Sequence, residues 1–407
     1  MARAIDLKQI FKLQNTVQHY AWGSTTCIPQ LLGIENREKR PFAELWMGSH
    51  IKAPSYIQLK EDESISLREL ISLHAEAVLG KAVIRVFGSE LPFLFKVLAA
   101  AAPLSIQVHP SKEQAIAGFT KEEMQAIPLN AANRCYKDAN HKPELLVALS
   151  PFSLMLGFKP FTAIKKQLSA LNCGDRLSAV LAEAEKQKAD KRLSSFFTQL
   201  MGLSDQERKR ITARIADQTE ARQEPEYRWL QRLHELYPSD IGVLSPLILN
   251  VIELEYGSAV FLPAGVLHSY LEGFGLEIMA NSDNVLRCGL TPKHIDVAEL
   301  LKVVIFQETK PNIILPVKNS AYEVIYEIPV KEFRLSRIMV EPAAPITYSG
   351  RKSVEILLIR EGRIHLSWLP QHKITARQGE SFLIPAVLPE YTVEGQGEIF
   401  KAAVGGA

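Results

Sequence analysis

Residues 257–270 read GSAVFLPAGVLHSY, and residues 379–391 read GESFLIPAVLPEY. In each stretch a glycine is followed by five residues ending in an apolar run, and then by a proline. Glycine turns the chain, the apolar run crosses a sheet, and proline turns it again. A unit of this kind occurring twice predicts two β-barrels built from a repeat. The copies differ where chemistry would sit: His268 in the first is matched by Glu390 in the second, each eleven residues after its glycine. Only the first copy keeps an imidazole suited to a metal ion.

Outward from the first copy, the order Gly, five residues, Pro, any residue, Gly, two residues, His resembles the second signature of the cupin jelly rolls. Where that signature ends in asparagine this chain has Glu272, and the paired histidines expected upstream appear as Gln107 and His109. Between Leu91 and His109 the runs LPFLFKVLAA and PLSIQVHP read as strands broken by proline, so the front of the chain is expected to be mostly β. Helical spacing then takes over, in Ile164, Leu168 and Leu171, in Leu193, Phe196 and Leu200, and in Leu230, Leu233 and Tyr237. After Pro246 the strands return. The expected fold is mainly β with a helical insertion, as two cupin-type jelly-roll β-barrels plus an α-helical domain. One discontinuous barrel covers 1–160 and 241–310, the insertion 161–240, and a degenerate C-terminal barrel 311–407.

With 407 residues the chain is long enough for two or three domains, and a net charge of +2 gives no reason to expect a nucleic acid partner. No apolar stretch reaches membrane-spanning length, and the start, with Arg3, Asp6, Lys8 and Lys12, lacks the apolar core of a secretory signal. A cytoplasmic location is expected. The four cysteines, Cys27, Cys135, Cys173 and Cys288, show no paired spacing, so a metal must rest on nitrogen and oxygen.

Gln107 and His109 stand two apart in an apparent strand and share a face. Lys142 and Glu144, on either side of Pro143, do the same, and His268 follows a Pro-Ala-Gly turn at a strand edge. Two imidazoles, a carboxylate and a carboxamide would hold zinc with a position left open, and manganese or iron would satisfy the same set. Beside this stand two rival readings: a cupin oxygenase, which Gln107 disfavours, and a non-catalytic sugar-binding barrel.

Six stretches carry a wider resemblance: QNTVQHYAWGS from Gln14, AELWMGSH from Ala43, LPFLFKVL from Leu91, PLSIQVHP from Pro103, NHKPEL from Asn140, and LEIMANSDNVLRCGLTPKHID from Leu276 to Asp296. Together they resemble the type I phosphomannose isomerases of the cupin superfamily, in their bacterial branch. The resemblance implies interconversion of mannose 6-phosphate and fructose 6-phosphate by a monomer holding one zinc ion on Gln107, His109, Glu144 and His268, with Arg287 in catalysis. A cysteine and an arginine of the fungal members correspond here to Leu156 and Lys159.

Moving a carbonyl between C1 and C2 requires a cation for the developing oxyanion and a base that carries a proton between the two carbons. His141, Glu277 and Asp283 are the candidate bases, with His141 favoured because an imidazole titrates near neutrality. Glu277 has a second candidate task, orienting His268. Lys142 belongs with this catalytic group. Lys96, Lys142 and Arg287 are the cations available to a phosphate, Ser105 could add a hydrogen bond, and Tyr20, Trp22 and Trp46 could wall the sugar.

Overall fold

Phe93–Ala100 is buried at every residue, as is Glu144–Ala148, and both behave as central strands covered on two faces. They flank the long strand His268–Ala280 in an antiparallel sheet. The order across this sheet is Ala259–Leu262, Glu144–Ala148, His268–Ala280, Phe93–Ala100, Glu44–Met47 and Thr16–Gln18. A second sheet runs Ser381–Ile384, Glu355–Trp368, Glu390–Ala403, Arg334–Val340, Glu323–Tyr326 and Val317–Lys318. The fold, a computed structural model describing residues 5–342 and 344–406, is mainly β with a helical insertion, as expected. Arg3, used in the N-terminal reading, lies outside the described residues.

The repeat seen in the sequence recurs as register. In the first sheet Val260, Leu146, Glu277, Lys96 and Trp46 face one another across neighbouring strands. In the second, Phe382, Leu357, Lys401, Ser336 and Ile325 form the same ladder. Val260 and Phe382 are each the third residue after the repeated glycine. Gly257 and Gly379 both have positive φ, 78° and 81°, where a β-carbon would be strained. Counting two residues back from the ladder, Glu355 stands where the first sheet has Glu144. Its surroundings are different: Arg351 Nη1 lies 3.3 Å away, the Tyr391 hydroxyl donates at 2.9 Å, and Lys401 Nζ sits 2.9 Å from Glu323 and 4.0 Å from Glu355.

Helices Phe161–Ser169, Gly174–Glu185, Arg192–Met201, Asp205–Thr219 and Pro225–Leu236 make up the insertion. Phe196, Phe197, Leu200 and Met201 share one apolar core with Ile106, Val108, Leu267, Leu286 and Cys288. Because strand side chains alternate, that core is the back of the strands whose other face carries Gln107, His268 and Arg287. Glu272, the departure from the cupin signature, is ion-paired with Arg232 of the insertion, and Lys159 reaches Glu226 at 3.0 Å.

Two observations modify the expected layout. The front is not mostly β, since Leu67–Leu79, Lys81–Phe87 and Lys112–Met124 are helices. The last of them opens with a capping box in which the Ser111 hydroxyl accepts from Gln114 N and the Gln114 side chain accepts from Ser111 N. In addition, Phe11–Gln14 pairs with Ser381–Ile384 and with Tyr56–Lys60, so part of the first 66 residues completes the C-terminal sheet. Ile313–Ile314 conversely pairs with Ala259–Leu262. We propose that the division at 160, 240 and 310 describes the organising units, with these strands exchanged across it.

Candidate metal centre and active site

His109, at the end of the strand Ile106–Val108, is fully buried, and its Nδ1 donates to the Asn284 carbonyl at 2.7 Å. His268 opens its strand with Nδ1 directed at the Val266 carbonyl, 3.0 Å away. A carbonyl can only accept, so both rings carry their proton on Nδ1 and present a lone pair at Nε2. Those lone pairs face a carboxylate: His109 Nε2 lies 3.3 Å from Glu144 Oε1, and His268 Nε2 lies 3.4 Å from Glu144 Oε2.

No donor stands between them. His109 Nε2, His268 Nε2 and Glu144 Oε2 are buried and have no hydrogen-bond partner among the described residues. Three lone-pair atoms within 4.8 Å of one another, shut away from water, are repulsive unless a cation joins them. Burial pushes His109 down to about 4, which keeps it neutral and ready to ligate. Burial opposes the charge on Glu144, but the Lys142 ammonium, 2.9 Å from its Oε1, prevails and holds it well below the usual carboxylate range. The residues fit a divalent ion of the kind that takes nitrogen and oxygen ligands. Gln107 is the register partner of His268 on one side and of Arg287 on the other, which puts the three on one face.

Beside this centre runs a buried polar chain. Lys96 Nζ is 2.8 Å from Glu277 and 3.7 Å from Glu44, the Tyr270 hydroxyl donates to Glu277 at 2.9 Å, and Trp46 Nε1 donates to Glu44 at 2.7 Å. Burial disfavours the Lys96 ammonium, yet Glu277 and Glu44 more than offset this and raise its pKa. Lys96, expected at the phosphate, is therefore engaged by two carboxylates, which leave little of its charge for a third anion. Glu277 is turned toward Lys96 and Tyr270, not toward His268.

Tyr20 stacks on Trp22 with ring centres 5.7 Å apart. Burial, and then Glu44, raise the pKa of Tyr20, which Lys96 lowers and Asp283 raises further. Asp283 pairs with Lys52 at 2.8 Å and His50 at 3.5 Å. Burial would raise its pKa, but the hydrogen bonds from His50 and Lys52 prevail and hold it far below the usual range, which makes it a poor base. Ser105 lies half-buried two residues before Gln107. His141 does not contact the metal donors; its Nε2 meets Glu332 of the C-terminal barrel at 2.6 Å.

Burial lowers the pKa of Arg287, Lys137 and Lys293, and the charges of Lys52 and Arg287 lower both lysines further. Lys137 Nζ donates to the carbonyls of Leu129 and Ala131. Sequence reasoning found only Arg287 among these cations. Lys293 stands in the quoted segment Leu276–Asp296, and its cationic neighbours there were the one available signal.

Residues 10–161 match the family model for the catalytic domain of type I phosphomannose isomerase, and residues 170–249 match the model for its helical insertion domain. The mannose-6-phosphate isomerase of Escherichia coli (strain K12) is 43% identical over 392 residues, covering 96% of this chain and 98% of that one. The chain belongs to the type I phosphomannose isomerases. The human mannose-6-phosphate isomerase, a more distant member of the family, is 34% identical, with 88% of each chain covered. Among solved phosphomannose isomerases, the Salmonella typhimurium enzyme bound to its substrate fructose 6-phosphate and zinc superposes with a TM-score of 0.88 at 40% identity, over 97% of this chain and 99% of that one. Its apo form gives 0.89.

Proposed function

We propose that this phosphomannose isomerase interconverts mannose 6-phosphate and fructose 6-phosphate through an enediolate, with zinc held by His109, Glu144, His268 and Gln107. The observation that carries the reading is the convergence of buried lone pairs on His109, Glu144 and His268, which only a cation satisfies. When bound, zinc supplies Lewis acidity to the substrate oxygens.

The remaining tasks fall to the chain. Arg287, the register partner of Gln107 in the sheet, supplies a fixed positive charge to the developing oxyanion. The phosphate is taken by Lys293 together with Arg287, since Lys52 is held by Asp283 at 2.8 Å and Lys137 Nζ by the carbonyls of Leu129 and Ala131. Tyr20 and Trp22 wall the sugar, and Ser105 adds a hydrogen bond to it. Lys142 steadies Glu144, and the Lys96–Glu277 pair holds the cavity wall polar and dry. For the proton carrier we retain His141: Glu332 accepts from its Nε2, leaving Nδ1 free to accept a proton from one carbon and return it to the other. We place the enzyme in the cytoplasm as a monomer. No helix among the described residues is long and apolar enough to cross a membrane.

A coupled assay of mannose 6-phosphate conversion, run before chelation, after it, and after zinc is restored, tests the function. Activity lost and regained supports it; folded protein without activity at any zinc loading overturns it. His141→Gln tests the base, with kcat expected to fall on the order of a hundredfold at unchanged zinc content. Unchanged kcat would transfer the proton to another group, with Glu277 next in line.

A further inference from the structure

We propose that Asn284 is a positioning residue that locks two metal ligands into one arrangement. The proposal rests on the metal reading above. Asn284 is fully buried at 0% exposure, between Asp283 and the strand that carries Arg287. Its backbone carbonyl accepts the Nδ1 proton of His109 at 2.7 Å, which fixes both the tautomer and the ring plane that direct Nε2 at the metal position.

Its side chain is engaged elsewhere. Oδ1 accepts from Lys137 N at 2.7 Å and Asp138 N at 3.3 Å, while Nδ2 donates to the carbonyls of Asp138 and Asn140, both at 2.8 Å, and approaches Asp138 Oδ1 at 3.3 Å. The acceptor and both donor hydrogens of the carboxamide are used. The segment it grips, residues 137–140, leads directly into Lys142 and Glu144. One residue thus connects His109 through its main chain and the Glu144 strand through its side chain.

Neighbouring bonds reinforce the same join. Ser282 Oγ donates to Asp138 Oδ1 at 2.8 Å and accepts from Asn284 N at 3.2 Å. Asp283 N donates to Asp138 Oδ2 at 2.7 Å, and Asn140 Nδ2 donates to the Asn281 carbonyl at 3.2 Å. Asn284→Asp would set an acceptor against two carbonyls and a carboxylate, whereas Asn284→Ala would leave the Asp138 carbonyl and the Lys137 and Asp138 N–H groups without partners. Both changes free the segment before Glu144 and let the carbonyl that holds His109 drift.

The test is the zinc affinity of the full chain, measured by competition with a chromophoric chelator, alongside thermal unfolding of the zinc-free protein. Asn284→Ala is expected to weaken zinc binding about 10- to 100-fold. Asn284→Asp is expected to weaken it at least as much. The milder Ser282→Ala should shift affinity in the same direction by a few-fold, and it decides the matter should the Asn284 variants fail to fold. Zinc affinity within about twofold of wild type in a folded variant, even with a lowered melting temperature, would reduce Asn284 to a structural residue and overturn the proposal. Wild-type protein that binds no zinc would overturn the metal reading itself.

Discussion

His141 and Glu332 meet at 2.6 Å although they belong to different barrels, one just before the Glu144 strand and the other just before Arg334–Val340. The C-terminal barrel thereby reaches the chain that leads into the metal centre. Removing the carboxylate in Glu332→Ala frees the ring to rotate. We expect kcat to fall on the order of tenfold with zinc content unchanged, as read by steady-state kinetics and metal analysis on the same preparation.

In the proposed mechanism Arg287 acts on charge that appears during the reaction, and its guanidinium is not one of the metal donors. Arg287→Ala should therefore retain zinc and lose on the order of a thousandfold in kcat, and Arg287→Lys should recover only part of it, since an ammonium lacks the planar donor fork. Near-normal turnover of Arg287→Ala would remove the residue from the mechanism.

For the ligands the order of effects reverses. His268→Ala and Glu144→Gln should lose bound zinc and, as a consequence, activity. Elemental analysis after gel filtration checks the first effect, and excess zinc should restore little turnover.

Asp283 gives a signed pH dependence. Its folded pKa is depressed, so the stability it contributes is fully present above the unfolded value of about 4 and is lost as pH falls below that. Urea unfolding of wild type and Asp283→Asn should differ at about pH 6, with wild type the more stable, and the two curves should converge on acidification below about pH 4. A gap that stays constant would separate Asp283 from the acid response.

Lys401 is buried between Glu323 and Glu355. Lys401→Met keeps the bulk but takes the ammonium from the buried Glu323 carboxylate, while Glu355 keeps Arg351 and Tyr391, and this should cost about 3 kcal/mol in chemical denaturation. Zinc content should stay as in wild type, because the altered barrel is not the one that carries the metal imidazoles.

The cluster of His109, Glu144 and His268 was legible because local rules reach it. Period-two spacing joins His109 to Gln107 and Glu144 to Lys142, and a Pro-Ala-Gly turn delivers His268. Much of the cavity was not legible for the opposite reason. Glu44 meets Lys96, Tyr270 meets Glu277, and Glu332 meets His141 through pairings set by tertiary packing, which no local spacing announces. Glu44 and Trp46 did offer a clue, standing two apart on a strand inside the AELWMGSH stretch. Asn284 gave none, since a buried carboxamide gripping a loop leaves no periodic trace. The strand exchange involving Phe11–Gln14 was hidden likewise, since a short apolar run does not name its partner. The helix at Lys112–Met124 is a different kind of miss: its Ser111 and Gln114 cap was written in the sequence, but few apolar residues announced the helix behind it.

The matched positions of Glu144 and Glu355 give the two barrels different dependence on their surroundings. One takes its central positive charge from solution and can be emptied; the other carries its own on Lys401 and Arg351, tethered to the backbone. A shortage of zinc would consequently disarm the first barrel and leave the ion pairs of the second intact.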